Sequence, residues 1–277
     1  MAKNGVLLEV AYDGTAFHGW AAQNDGVRTV EETLRGAIAA MDPNASAPRG
    51  ASRTDAGVHA EGQLAAFDAA LDVPPRGWVL GLNQHLPDDV AVRAARVVPA
   101  GFSPRFAARG KRYRYRMLLD TVRDPKWRTR AWRIGDAIDR ARLVREAEAI
   151  VGTHDFAAFR TSADERAVTV RTMTRVVVEG GDVVGAGGDR PMAGAIDEEQ
   201  RIVSIVIEGT AFLHNMVRIL VGTLMDVARG RLEEGAIARA LAAKDRRVAG
   251  TTAPAHGLTL ERVDVELPGE SGERWPQ

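Results

Sequence analysis

The chain opens on an apolar, β-rich run, Val6-Leu7-Leu8-Glu9-Val10-Ala11-Tyr12, closed by the turn signal Asp13-Gly14. Apolar residues then recur at Val30, Leu34, Ile38 and Met41, a helical spacing. Thr29 stands at the N-cap of that helix, with Glu32 three residues on to complete a capping box. A short strand is expected before Arg53 and another over residues 63–68. Pro75 can open a second helix running to about residue 86, and residues 90–98 read as a strand. The resulting order is β-α-β-β-α-β.

A comparable order follows the Pro- and Arg-containing stretch 102–110. Residues 111–119 form a strand, 139–151 a helix with Gly152 in the C′ position, and 171–179 and 201–209 are β-branched strands. A long helix is expected over 212–229, stopped by Gly230, then a short one over 234–243 and a last strand over 258–267. Two β-α-β-β-α-β halves predict an α+β architecture of two ferredoxin-like units with antiparallel or mixed sheets. We place the division at 1–105 and 106–277. Residues 180–199 are Gly-rich and acidic and read as a long, mobile hairpin loop; no helix follows Gly185-Ala186-Gly187-Gly188, so this is no dinucleotide fingerprint. Residues 268–277 read as a frayed tail.

Composition narrows the chemistry. With no cysteine, disulfides, thiolate metal sites and thiol catalysis are excluded. The most apolar stretch, 212–228, carries His214, Arg218 and Asp226, each costly in a bilayer, so no membrane span is expected. The N-terminus enters the first strand with no apolar leader, and a cytoplasmic location is expected. The 37 basic and 37 acidic residues cancel overall. Locally they do not: residues 101–133 hold eleven basic side chains against Asp120 and Asp124, a balance of +9 that the rest of the chain offsets with −9. Guanidinium groups so concentrated suit a polyanion.

Three segments could carry chemistry. In Gly50-Ala51-Ser52-Arg53-Thr54-Asp55-Ala56-Gly57-Val58-His59-Ala60, Asp55 could serve merely as a turn residue. Yet an Arg lies two residues before it, the loop is otherwise small, and such a carboxylate is also a candidate nucleophile or base. In Lys111-Arg112-Tyr113-Arg114-Tyr115-Arg116-Met117 the tyrosines share one strand face and the arginines the other. This could be a core face with a solvated face, or a tyrosine that stacks on a base beside phosphate-holding guanidiniums. Arg218, within the apolar run 212–224, needs an anionic partner if buried. Asp55 is one candidate, Asp226 or Glu208 another. His18, His59 and His214 match no metal-ligand spacing, and no metal is expected.

These segments resemble the tRNA pseudouridine synthase A family. Gly50–Ala60 is similar to its catalytic G-x-G-R-T-D-A-G-V-H motif, and Tyr12-Asp13-Gly14 with Phe17-His18-Gly19-Trp20 to its Y-D-G…F-x-G-W signature. Asn83…Leu86-Pro87, Phe102…Arg105-Phe106-Ala107, Tyr113-Arg114-Tyr115, Gly152-Thr153-His154-Asp155-Phe156, Met216-Val217-Arg218 and Ala253-Pro254-Ala255-His256-Gly257-Leu258 follow in the family's order, over about residues 5–267. Ser52 departs from the family's Gly, Ala21-Ala22 from its polar pair, and Ser103-Pro104 from its His-Ala.

The resemblance implies two units flanking a central cleft, and isomerisation of uridine to pseudouridine at positions 38, 39 and 40 of the tRNA anticodon arm without a cofactor. It makes Asp55 the essential carboxylate, and Tyr113 the residue stacked on uracil. Arg218 would pair with Asp55, Arg53 would fill the gap left by a flipped nucleotide, and Arg105, Lys111 and Arg112 would lie along the RNA backbone. It also implies a homodimer. Two rivals remain: a non-catalytic RNA-binding protein, and a carboxylate-based hydrolase acting on a small nucleoside.

Overall fold

Thr29 accepts the Glu32 N–H on its side chain, and helix α1 (Val30–Met41) starts where the capping signal places it. The computed structural model describes residues 4–24, 26–135, 137–161, 164, 166–181, 201–267 and 274–275. The expected 180–199 loop beyond Gly181, and nearly all of the 268–277 tail, lie outside the described residues.

The chain forms two compact units, Met1–Lys111 with Thr259–Gln277, and Arg112–Leu258. A single cut after residue 105 therefore does not describe the division, because the stretch from Thr259 packs with the first unit.

In the first unit the strands run in the order β4 (Val90–Val98), β1 (Asn4–Tyr12), β3 (His59–Ala69), β10 (Leu258–Glu266), with the two-residue β2 (Arg49–Gly50) also on β3. β1 is antiparallel to both neighbours, with Val6 opposite Phe67 and Val97. β10 joins the start of β3 in parallel, Thr259 opposite His59. Helix α2 (Pro75–His85) opens on proline at its first position, where the missing N–H costs nothing. It sets Trp78 edge-on to Phe67 at 5.1 Å between ring centres, and α1 adds Leu34 and Ile38 to the same core. β3 starts at His59, four residues before the alternation suggests, because its first residues bond to β1 and β10.

The second unit orders its strands β5 (Ala108–Leu119), β9 (Ile202–Gly209), β8 (Val170–Gly180), β7 (Gly152–Asp155), and β6 (Trp132–Ile134) lies parallel to β5. Helices α3 (Pro104–Ala107), α4 (Arg140–Glu148), α5 (Met216–Ala228) and α6 (Ala236–Ala243) complete the chain's helical set among the described residues; α3 belongs to the first unit. Helix α5 begins four residues later than its apolar run suggests. Asn215 sits in the left-handed region at φ 60°, and residues 210–215 form a loop. Every residue of α5 is buried except Arg218, which is half-buried. The α+β class and the antiparallel pairing of β1, β3, β4 and of β7, β8, β9 agree with the sequence reading. Among the described residues no helix is long and apolar enough to cross a membrane.

Candidate active site

The loop 51–58 joins β2 to β3, and its backbone is bound at almost every residue. Ala51 N–H donates to Leu64 O at 2.8 Å. Ser52 N–H donates to Gln63 Oε1 at 3.1 Å, while Gln63 Nε2 donates to Ser52 O at 2.7 Å. Thr54 O accepts Trp20 N–H, Gly57 N–H donates to Phe17 O, and Val58 N–H donates to Asp55 O. The Thr54 hydroxyl meets Tyr12 Oη at 2.7 Å in the core. Below the loop, Arg49 grips Asp68 through two nitrogens at 3.0 and 2.9 Å, tying β2 to β3. That guanidinium holds the Asp68 carboxyl below the usual carboxylate range; burial opposes it and Gly101 N–H adds to it.

The outcome is a rigid loop that keeps Thr54 buried, Arg53 exposed and Asp55 half-buried. The Tyr12–Trp20 segment braces it from outside the motif. Gly19, at φ +100°, lies so close that a Cβ there would stand 2.8 Å from Thr54 O. His59 is 1% exposed, with Nδ1 3.1 Å from Gly14 N and 3.2 Å from Asp13 Oδ1. The two contacts need opposite protonation of one nitrogen; the Gly14 N–H has a fixed direction, so Nδ1 is taken as the acceptor. Among the described residues no group of three His, Asp or Glu side chains is placed to hold a metal ion.

Tyr113 and Arg218 lie in the second unit. Tyr113 is 6% exposed on β5 and meets Phe212 edge-on at 4.9 Å. Tyr115, two residues on, is wholly buried and donates its hydroxyl to Pro254 O at 2.7 Å; burial pushes its phenol well above the ordinary tyrosine range. Both tyrosine rings thus lie on the buried face of β5. Arg218 donates from Nε to Ala253 O at 2.8 Å and from Nη1 to Asn215 Oδ1 at 2.6 Å. Glu208 pairs with Arg175 at 3.3 Å and lies 3.8 Å from Arg112, while Asp226 accepts Thr251 N–H at 2.8 Å. Gly222 makes room for that segment: a Cβ there would stand 1.8 Å from Thr251 O.

The basic stretch 101–133 divides. Arg114 is paired with Glu179 at 2.6 Å, and Arg109 with Glu266. Lys111 Nζ donates to Ala51 O at 3.0 Å, so it supports the Asp55 loop from beneath. Arg105, Arg123, Lys126, Arg128, Arg130 and Arg133 are exposed. Sequence reasoning missed Gln63, Lys111 as a loop support, and the Tyr12–Thr54 pair. Buried polar side chains look like surface ones in a sequence; only the Tyr12 motif gave any signal.

A carboxylate on a stiff loop, in an α+β chain with a strongly basic segment, is an arrangement suited to an enzyme that acts on nucleic acid. Comparison with known proteins narrows the class. The chain matches the family described as tRNA pseudouridine synthase over residues 9–107 and 147–265, and it belongs to that family. The tRNA pseudouridine synthase A of Geobacter sp. (strain M21) is 41% identical over 259 residues, 93% of this chain and 97% of the relative. Those of Shouchella clausii (strain KSM-K16) and Geobacter sulfurreducens are 40% and 37% identical, covering 95% and 93% of this chain and 94% and 98% of theirs.

Proposed function

We propose that this protein isomerises uridine to pseudouridine in tRNA, at positions 38, 39 and 40 of the anticodon stem-loop, with Asp55 as the essential carboxylate. The observation that carries the reading is the loop itself: backbone bonds on both sides of Asp55 hold its carboxylate at a half-buried position, ready for one task. Uridine and pseudouridine are isomers, so the reaction balances without a redox partner. The N1–C1′ bond breaks, the base turns in the pocket, C5 bonds to C1′, and the C5 proton is lost as N1 gains one.

Asp55 attacks C1′ or the uracil ring, or takes a ribose proton; each route needs an ionised carboxylate. Arg218, held by Asn215 and Ala253, is proposed to pair with it when RNA phosphates approach. Tyr113 stacks on the uracil and helps remove the C5 proton. At 6% exposure, its ring becomes available only if the site opens locally on RNA binding. Arg53, exposed beside Asp55, fills the gap left by the flipped nucleotide. Of the proposed backbone contacts, Arg105 is the most exposed, whereas Lys111 and Arg112 already serve Ala51 and Glu208. We further propose a cytoplasmic homodimer in which one tRNA touches both copies.

The test is to map pseudouridine in tRNA from cells with and without the protein. Loss at 38–40 is expected; unchanged modification there would overturn the substrate assignment.

A further inference from the structure

The second unit contains a cavity of about 560 Å³ that the proposed reaction does not use. The residues that line it include Trp127, Trp132, Arg123, Arg128, Arg133 and His256. The volume lies within the range of small-molecule sites, about 300–1,000 Å³.

Three features of the wall specify a ligand. First, Trp127 Nε1 is buried and has no hydrogen-bond acceptor among the described residues, a donor that an acceptor on a ligand would satisfy. Second, the charge is positive. Asp124, the acidic side chain in the wall, is engaged by Arg201 at 3.3 Å and by Lys126 N–H, whereas Arg123 and Arg128 are exposed and no ion pair holds them among the described residues. Third, the aromatic surface is fixed in place. Trp132 stands on β6 in register with Met117 and meets Tyr115 edge-on at 6.3 Å. His256 adds a polar group without a charge, because burial, with Arg218 assisting, pushes its imidazole below the ordinary histidine range despite a hydrogen bond to the Ala131 backbone.

We infer that this cavity binds a nucleotide unit, its base against the Trp127 and Trp132 indoles and its phosphate on Arg123 and Arg128. Flat indoles accept any base face, and guanidinium forks match phosphate oxygens. The unit can come from a free mononucleotide or from an unpaired residue of the RNA substrate. In the second case the cavity is a docking point away from the reaction, and the inference then rests on the tRNA reading above.

The experiment uses the full-length protein and two variants: Trp127→Phe, which keeps a ring and removes the N–H, and Arg123→Gln/Arg128→Gln. Thermal melting confirms that each folds. Uridine monophosphate is titrated against indole fluorescence, and tRNA binding and turnover are measured in parallel, with sedimentation to follow assembly. Saturable quenching by uridine monophosphate, weakened about ten-fold or more in the double variant, supports the site with a free nucleotide as occupant. No quenching, but tRNA affinity about ten-fold weaker in both variants with kcat unchanged, supports it with an RNA residue as occupant. If neither ligand's binding changes, the inference is overturned. A change of oligomeric state in the variants also overturns it, in favour of an interface between copies. A parent protein that modifies no tRNA would sink the tRNA reading alone, since the mononucleotide titration still reports on the cavity.

Discussion

Gln63 binds both backbone groups of Ser52, accepting its N–H and donating to its C=O, and so extends the β-ladder with a side chain in place of a strand. Gln63 is wholly buried, so neither bond competes with water. The loop that carries Asp55 therefore hangs on the Gln63 amide, which grips it at Ser52, three residues before Asp55. Both bonds are made by the Ser52 backbone, so neither depends on which side chain stands at this position. Gln63→Leu would leave two buried polar groups bare. We expect a loss of about 2–4 kcal/mol in stability by denaturant unfolding, with turnover reduced in the fraction that remains folded.

Asp55→Asn should keep the fold and tRNA binding while removing the ionised oxygen. Pseudouridine formation should fall about a thousand-fold or more, measured by release of the C5 proton from labelled tRNA. Ordinary turnover with bound tRNA would leave a non-catalytic role for this carboxylate.

Gly222→Ala tests how Arg218 is positioned. A methyl group at 1.8 Å from Thr251 O must push the 251–253 segment off α5, and Ala253 O is what Arg218 Nε donates to. Overpacking of this kind costs about 1–3 kcal/mol. Stability and kcat should fall together, with tRNA affinity changed less; an unaltered kcat in the folded variant would count against a role for Arg218.

Acid should loosen the same loop from below. Asp68 has a depressed folded-state pKa, so its contribution is complete above the unfolded carboxylate value near ~4 and is lost as pH falls through the folded value. Asp68→Asn should therefore lower stability by about 1–2 kcal/mol at neutral pH. The gap between variant and parent should close as the pH falls through the lowered folded-state value, followed by melting temperature against pH.

RNA binding should weaken steeply with salt, because phosphate contacts release counterions. Arg105→Gln should reduce the slope of log Kd against log salt by about one unit without altering which uridine reacts.

Local signals in the sequence match the structure where one force acts alone. Thr29 and the spacing from Val30 to Met41 gave α1 to the residue, and the run Val90–Val98 gave β4. Signals failed where tertiary contacts competed. The apolar run from Phe212 looks helical, but Asn215 breaks it to bond Arg218. β6 and β7 were missed because Trp132–Ile134 and Gly152–Asp155 are too short to show alternation and form by pairing with β5 and β8. The motif around Asp55 was legible because its small residues and charges are unusual together. The partners that hold it were not, since Gln63 and Lys111 are indistinguishable by type from surface side chains.

The parallel seam between β3 and β10 also closes late in synthesis. His59 pairs with Thr259, a residue synthesised about 200 positions later (259 minus 59). A nascent chain can build β1, β3, β4 and both helices early, yet the edge of β3 next to the Asp55 loop stays uncovered until β10 emerges. Contacts so distant in sequence form late, because the intervening chain must first be brought together. The start of β3 is thereby completed only after the second unit has been made, although the loop before it is bonded to residues already present, Phe17, Trp20, Gln63 and Leu64.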